Sequence, residues 1–388
     1  MPRATVLGGG FAGCTVAGLL ARDGWDVQLW EKEPNLGGGC RTFFHAGHPF
    51  TYGPRLYYGY SKAVFDWVDS IVPLRRFPFE LKTLANEPVD EDRKFWTYPP
   101  HELDLGEYPR AAAIAAELEA RDNSKEPQDF DEYYIQKIGP TLYDMFTEHY
   151  SKRMWQVESN KVFDIFKWSA KDKPIESGTR EAYKGSFLGY PIEETGYNRY
   201  FDEMTNGVEV RTGGTIGWGG GPFGADVLIS TIPIDELCGH KFGELPYIGR
   251  EFELLVLPCK EVFPGEVRFC HYAGKDDTFT RATEFKKITG HQSDSTLLVL
   301  EKPSHSNKLY PYIQKNTVAL AQRYLASLPE NVHSIGRLGL YKYQTIEQTI
   351  FQAFSCYAKI TGKPNIMDGQ FFEIGDTSML SKDRRVSA

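Results

Sequence analysis

The chain opens on a short apolar run, Ala4-Thr5-Val6-Leu7, crosses a glycine-rich turn into an apolar helical stretch, and returns through Trp25 to Glu31 in alternating polar and apolar positions. Strand, turn, helix and strand in that order predict a βαβ unit. From about Val64 the pattern turns helical and polar. Pro109 ahead of Ala111 to Leu118 predicts a helix with a proline near its first turn. A second apolar-periodic stretch covers Phe130 to Ile138, Gly139-Pro140 breaks it, and a third helix is expected from Thr141 to about Trp155. Val208 to Arg211 and Ala225 to Thr231 read as strands, the second returning to the amino-terminal βαβ unit. Strands predominate from Phe252 to Leu300, followed by a helix over Lys315 to Ala326, a short strand over Asn331 to Ile335 and a last helix beginning near Thr345. No internal repeat or low-complexity tract interrupts the series, and the polar tail from Ser381 to Ala388 is expected to fray.

Length and composition narrow the classes. At 388 residues the chain exceeds one ordinary core, so two or three domains are expected. Its 44 Lys+Arg against 52 Asp+Glu give a net charge of −8, which argues against broad nucleic-acid or acidic-membrane binding. An aromatic share of 14% suggests a large cleft besides the core. The six cysteines are scattered without a paired or metal-ligating spacing, so neither a disulfide framework nor a metal site is expected, and a reducing cytoplasm fits. No run of 18 apolar residues and no leader-like start is seen, so neither membrane insertion nor export is expected.

The glycine-rich turn carries the first chemistry. Gly8, Gly10 and Gly13 fit G-x-G-x-x-G: the first permits the tight turn, the second lets the backbone approach a pyrophosphate, and the third lets helix pack closely on strand. Helix N–H groups then face the phosphates. Glu31 ends the second strand roughly twenty residues on, where a carboxylate accepts from a ribose diol. Phe11 in the turn and Lys32 after the acid complete this cofactor-facing set. Gly37 to Gly39 and then Arg41 put a second group of bare amides and a guanidinium beside the dinucleotide, with Gly38 at their centre. That favours FAD over a nicotinamide dinucleotide, because a plain nicotinamide dehydrogenase does not need the loop. Gly336-Arg337-Leu338, between a short strand and the last helix, places Arg337 where an anion site needs a cation. The resulting expectation is an α/β chain with a discontinuous Rossmann-like FAD-binding domain (residues 1–80, 192–245 and 316–380), a helical insert (81–165) and a mixed or antiparallel-sheet substrate domain (166–191 and 246–315).

The segment Gly336-Arg337-Leu338-Gly339-Leu340-Tyr341-Lys342-Tyr343, taken with the amino-terminal βαβ unit, resembles the UDP-galactopyranose mutase family. Further footholds, in the family's order, are Thr51-Tyr52-Gly53-Pro54-Arg55, His149 to Trp155, Gly189-Tyr190-Pro191 to Tyr197-Asn198, Thr280-Arg281-Ala282-Thr283-Glu284 and Leu309-Tyr310-Pro311. The resemblance implies a flavin-dependent isomerase that interconverts the pyranose and furanose forms of a nucleotide-diphosphate sugar, with N5 of reduced FAD attacking the anomeric carbon and no net redox change. NAD(P)H or another donor would supply the electrons, and the enzyme would serve polysaccharide biosynthesis. It also implies a homodimer through the insert, although the helices near Ala111 and Tyr133 carry no stripe that compels one.

The same resemblance assigns Arg281, in Thr-Arg-x-x-Glu, as a clamp on the diphosphate; the bland alternative is a surface salt bridge with Glu284. The family's second clamping arginine falls where this chain has Pro174-Ile175-Glu176, leaving Arg180 or Lys173 to take the role. Tyr150, Trp155, Tyr183, Tyr310 and Tyr343 match aromatic positions lining the family's substrate cleft. Two positions depart from the family. Arg55 replaces the usual histidine over the flavin and cannot shuttle protons. Thr345, assigned to the substrate-binding set, stands two positions after Tyr343 where the family usually has an acidic residue, at a place where cofactor or sugar should sit. Two rivals share these motifs: a flavin oxidoreductase of the amine-oxidase kind, and a non-catalytic FAD- or nucleotide-sugar-binding protein.

Overall fold

The computed structural model describes residues 1–87, 93–122, 124–163, 175–214 and 224–367. Its first layer is a five-stranded parallel sheet in the order Glu209–Thr212, Asp26–Glu31, Arg3–Leu7, Val227–Ser230, Val332–Ser334. Ala4, Val6, Leu29, Leu228 and Ile229 are buried, as expected of parallel strands covered on both faces. The helix Phe11–Arg22 packs on this sheet against the helix Ile346–Thr361. Two glycines make the first turn possible. Gly8 has a φ of +96°, and a Cβ on it would lie 2.1 Å from Thr231 Oγ1; one on Gly13 would lie 1.9 Å from the Gly8 carbonyl oxygen.

The second layer is a seven-stranded mixed sheet in the order Tyr310–Pro311, Tyr247–Leu257, Thr296–Ser304, Arg281–Glu284, Val267–Tyr272, Glu80–Leu84, Phe95–Thr97. Only the pairing of Val267–Tyr272 with Glu80–Leu84 is parallel. Its last two strands correct the expectation of a helical insert from residue 81. Leu81 and Thr83 alternate inward and Trp96 is buried, so these short strands are drawn into the sheet by aromatic burial rather than by length. Phe187–Pro191, expected in the substrate sheet, instead pairs with Tyr57–Gly59 and Leu74–Arg76 in a separate three-stranded sheet. Gly189 permits this close pairing: a Cβ there would come to 3.0 Å from the Arg75 carbonyl oxygen.

Helices Ala111–Glu119 and Phe130–Ile138 form as the periodicity predicts. Asp129 caps the second, accepting from the Glu132 N–H at 3.0 Å, and Gly139 at φ +82° ends it. Pro140–Tyr143 then runs through a widened turn, Asp144–Glu148, into His149–Trp155. This bundle buries Tyr133, Tyr134, Phe146 and Trp155 against the sheet edge. All six cysteines are free thiols. Among the described residues no helix is long and apolar enough to cross a membrane.

Candidate active site

Two clefts meet inside the molecule. The first is lined with glycine, about 1370 Å³ of open space bounded by Gly10, Phe11, Gly37 to Gly39, Arg55 and Arg337, among others. The helix Phe11–Arg22 starts at Gly10 with no side-chain cap, and a Cβ on Gly10 would meet nothing within 4 Å. An uncapped helix start facing open space is an anion seat. Gly37 and Gly38 both have positive φ, and Gly37 packs so closely on Phe201 that a Cβ would come to 2.7 Å from its ring. Arg55 donates Nε to the Gly39 carbonyl at 3.2 Å, and Arg337 donates Nη2 to the Gln344 carbonyl at 2.6 Å. Bare amides and two guanidinia fit a dinucleotide of the FAD type.

Three expected cofactor residues sit differently. Glu31 is buried and spends both oxygens on its own loop, accepting from Gly9 N–H at 2.6 Å and from Glu33 N–H at 2.9 Å, so it braces the turn whatever else it binds. Lys32 points outward, its side chain 73% exposed and 4.0 Å from Glu33, and does not reach the cleft. Ending the strand at Glu31 turns the next side chain to solvent. Arg41 folds back to donate to the Leu36 carbonyl at 3.2 Å and staples the loop instead of lining the cleft.

The second cleft is aromatic, about 1450 Å³ of open space lined by Tyr98, Phe130, Tyr150, Trp155 and Tyr183 together with polar groups. Tyr150 stands 5.1 Å from His271, ring to ring. Trp155 lines this cleft and also fills the core, 5.5 Å from both Phe163 and Tyr312. Tyr183, at φ +59°, packs between Tyr58 at 4.7 Å and Phe79 at 5.9 Å. Arg180 lines the same wall, anchored to buried Asp104 at 2.5 Å and to Thr97 Oγ1 at 2.6 Å. Lys173 and Pro174 lie outside the described residues. Thr345 lines the glycine cleft and not the aromatic one. Its hydroxyl accepts from Gln348 N–H at 3.2 Å while Gln348 Oε1 accepts from Thr345 N–H at 3.0 Å, a reciprocal cap on Ile346–Thr361. That placement moves it from the sugar side to the cofactor side.

Tyr310, Tyr343, Tyr183 and Arg281 line both clefts and so mark their junction. Tyr310 lies nearly parallel to Tyr343, ring centres 6.1 Å apart. The guanidinia of Arg337 and Arg250 lie 4.9 and 5.0 Å from the Tyr310 ring centre. Burial resists ionisation of Tyr310, but Arg55, Arg337, Arg250 and Arg281 together outweigh it and hold the phenol down at about 7. Arg281 is gripped by Glu301, not by Glu284; Glu284 is occupied with Val262 N–H, Phe263 N–H and the Thr296 hydroxyl. Burial disfavours the Arg281 charge, yet Glu301 more than compensates and keeps it protonated. Arg250 escaped the sequence reading altogether. It is 3% exposed, bonds the Gly249 carbonyl at 2.5 Å and the Met154 sulfur, and its charge is disfavoured by burial. The available signal was a lone arginine in the buried half of an apolar strand, a placement that requires an anionic partner or a ligand.

Comparison with known proteins follows the same lines. A family model described as UDP-galactopyranose mutase matches residues 145–343, and one described as an NAD(P)-binding Rossmann-like domain matches residues 6–71. A probable UDP-galactopyranose mutase of Klebsiella pneumoniae is 24% identical over 373 residues, covering 90% of this chain and 92% of its own. A dTDP-fucopyranose mutase of Escherichia coli is 23% identical over 384 residues, covering 92% and 97%. The crystal structure of a reduced UDP-galactopyranose mutase shares the fold at a TM-score of 0.78, with 16% identity and 94% of each chain covered.

Proposed function

This chain belongs to the UDP-galactopyranose mutase family, and on that footing we propose that it interconverts the six- and five-membered ring forms of a nucleotide-diphosphate sugar with FAD as its cofactor. Reduced FAD, when bound, supplies the nucleophile for the anomeric carbon without net redox change. The observation that carries the reading is the junction of the two clefts, lined by Tyr310 and Arg281, with the Arg250 and Arg337 guanidinia 5.0 and 4.9 Å from the Tyr310 ring centre. Breaking the bond between sugar and diphosphate develops negative charge on a phosphate oxygen, and a chain of net charge −8 must concentrate cations at that point. Arg281, oriented by Glu301, presents its remaining N–H groups to the diphosphate, and Arg250 lines the same cleft from the strand on the other side of the one that carries Glu301. Arg180, held by Asp104 and Thr97 in the same cleft, takes the second clamp. Tyr310 Oη holds its proton once a phosphate neutralises the surrounding guanidinia, and then donates to a phosphate oxygen. Tyr150 and Trp155 cover the nucleotide, and Tyr183 and Tyr343 exclude water from the sugar.

Gly10, Phe11 and the Gly37 to Gly39 loop would hold the FAD phosphates, with Arg337 and Arg55 toward the ring end. Reduction by NAD(P)H in a cytoplasmic setting completes the reading. The two curated relatives act, by name, on UDP-galactopyranose and dTDP-fucopyranose, so the test uses a panel containing both. Purified protein is reduced anaerobically, incubated with the panel and followed by chromatography and NMR. A furanose product that forms only with reduced protein, and consumes no reducing equivalents, is expected. Flavin oxidation by a substrate, or bound flavin with no ring isomerisation of any sugar nucleotide, would overturn it in favour of an oxidoreductase or a binding protein.

A further inference from the structure

Three guanidinia line the glycine cleft, and they differ in what they are tied to. Arg281 is held by Glu301, and Arg337 spends both Nη nitrogens on the Leu309 and Gln344 carbonyls. Arg55 makes one hydrogen bond among the described residues, Nε to the Gly39 carbonyl at 3.2 Å, and no carboxylate there pairs with it. Arg55 is half-buried, and neither Nη nitrogen is sealed from the open cleft. Two glycines locate it: a Cβ on Gly39 would come to 3.2 Å from Arg55 Nη2, and one on Gly53 would come to 3.9 Å from Arg55 Cζ and 3.1 Å from Arg281 Nη2. Arg55 thus stands between the Gly37 to Gly39 loop and the junction marked by Arg281 and Tyr310, with two donor nitrogens uncommitted. A permanent charge lining a cleft without a paired carboxylate calls for an anionic ligand.

We propose that Arg55 is the counter-charge for reduced flavin, its uncommitted Nη groups facing the N1 and C2-carbonyl edge of the ring and favouring the anionic two-electron-reduced form over the neutral oxidised one. This rests on the reading that FAD occupies the cleft. Two electrons, with one proton taken up at N5, leave one negative charge spread over N1 and the C2 carbonyl oxygen. Those are two acceptors side by side, which a planar guanidinium fork matches. The pyrophosphate is the other anion of FAD, and it has its own seat at the uncapped helix start at Gly10. The ring then lies toward the junction, where Arg55 heads the cations acting on Tyr310. A mutase that consumes no electrons gains from a site that retains them, because each stray oxidation stops turnover until a donor restores the flavin.

The test uses the full FAD-loaded chain, as wild type, Arg55→Gln and Arg55→Lys, titrated anaerobically with dithionite against a reference dye. In Arg55→Gln the ratio of reduced to oxidised flavin at a fixed potential should fall about tenfold, a negative shift of the midpoint by about 30 mV for a two-electron couple. Arg55→Lys keeps the charge and should recover most of that shift. The absorbance of reduced wild-type flavin should be that of the anion across the neutral range, and Arg55→Gln should take up the N1 proton at a higher pH. A neutral reduced flavin in the wild type, or an unchanged midpoint in Arg55→Gln, overturns the proposal. An unchanged midpoint together with weaker binding of oxidised FAD assigns Arg55 to the pyrophosphate instead. Wild-type protein that takes up no FAD overturns the mutase reading with it, whereas FAD binding with a neutral reduced form or an unchanged midpoint overturns this proposal alone.

Discussion

Arg281 and Glu301 stand opposite each other on adjacent antiparallel strands, joined by two parallel hydrogen bonds, Nε to Oε1 at 2.8 Å and Nη2 to Oε2 at 2.6 Å. Glu301 is 1% exposed, so the pair is a fixed fork with its remaining N–H groups free to face the cleft. Replacing Arg281 with Ala should weaken sugar-nucleotide binding by about 10- to 100-fold, the scale of one or two charge-assisted bonds. FAD retention should stay within about twofold on the same scale. Equilibrium dialysis with uridine diphosphate and the flavin absorbance of purified protein read the two effects separately.

Tyr310 should titrate near neutrality in the ligand-free protein, since its phenol is held at about 7. A depressed acid gives stability from ionisation that is complete above the unfolded range near 10. That contribution fades as pH falls and is gone below about 7. Diphosphate binding reverses the shift, so binding takes up a proton and affinity should drop as pH rises through about 7. Near-ultraviolet tyrosinate absorbance should show one such titration, absent in Tyr310→Phe, whose diphosphate affinity should also lose that pH dependence.

Arg55 is the foremost of the cations acting on that phenol. In Arg55→His the charge is largely lost above the ordinary imidazole range of about 6.5, so the Tyr310 titration should move upward. An unchanged tyrosinate midpoint would detach Arg55 from the junction.

Glu31 supports the turn through two backbone N–H groups. Glu31→Ala leaves both unpaired and should lower folding stability by about 1–3 kcal/mol while loosening FAD. Denaturant unfolding with and without added FAD distinguishes the loop role from the ribose role: if the ribose bond also counts, the gap between wild type and variant widens when FAD is present.

What the chain determined by itself is local. The glycines at 8 and 13 are dictated by a backbone that must turn and pack within a single βαβ unit, and the caps at Asp129 and Thr345 by helix starts that need an acceptor. Periodicity placed Phe130–Ile138 and Lys315–Ala326 because burial on one helical face repeats within a few residues. Short strands such as Phe95–Thr97 carry too few positions to show a period, and only the sheet edge that receives them defines them. The junction was decided by tertiary structure. Arg55, Arg250, Arg281, Tyr310 and Arg337 come from five separate segments, and sheet register selects Glu301 over Glu284 as the partner of Arg281. The same long-range order turned Lys32 outward, folded Arg41 onto its loop and moved Thr345 to the cofactor side. Local pattern encodes what the backbone needs next to itself; charges gathered from distant strands acquire their meaning only when the sheets close around a shared cleft.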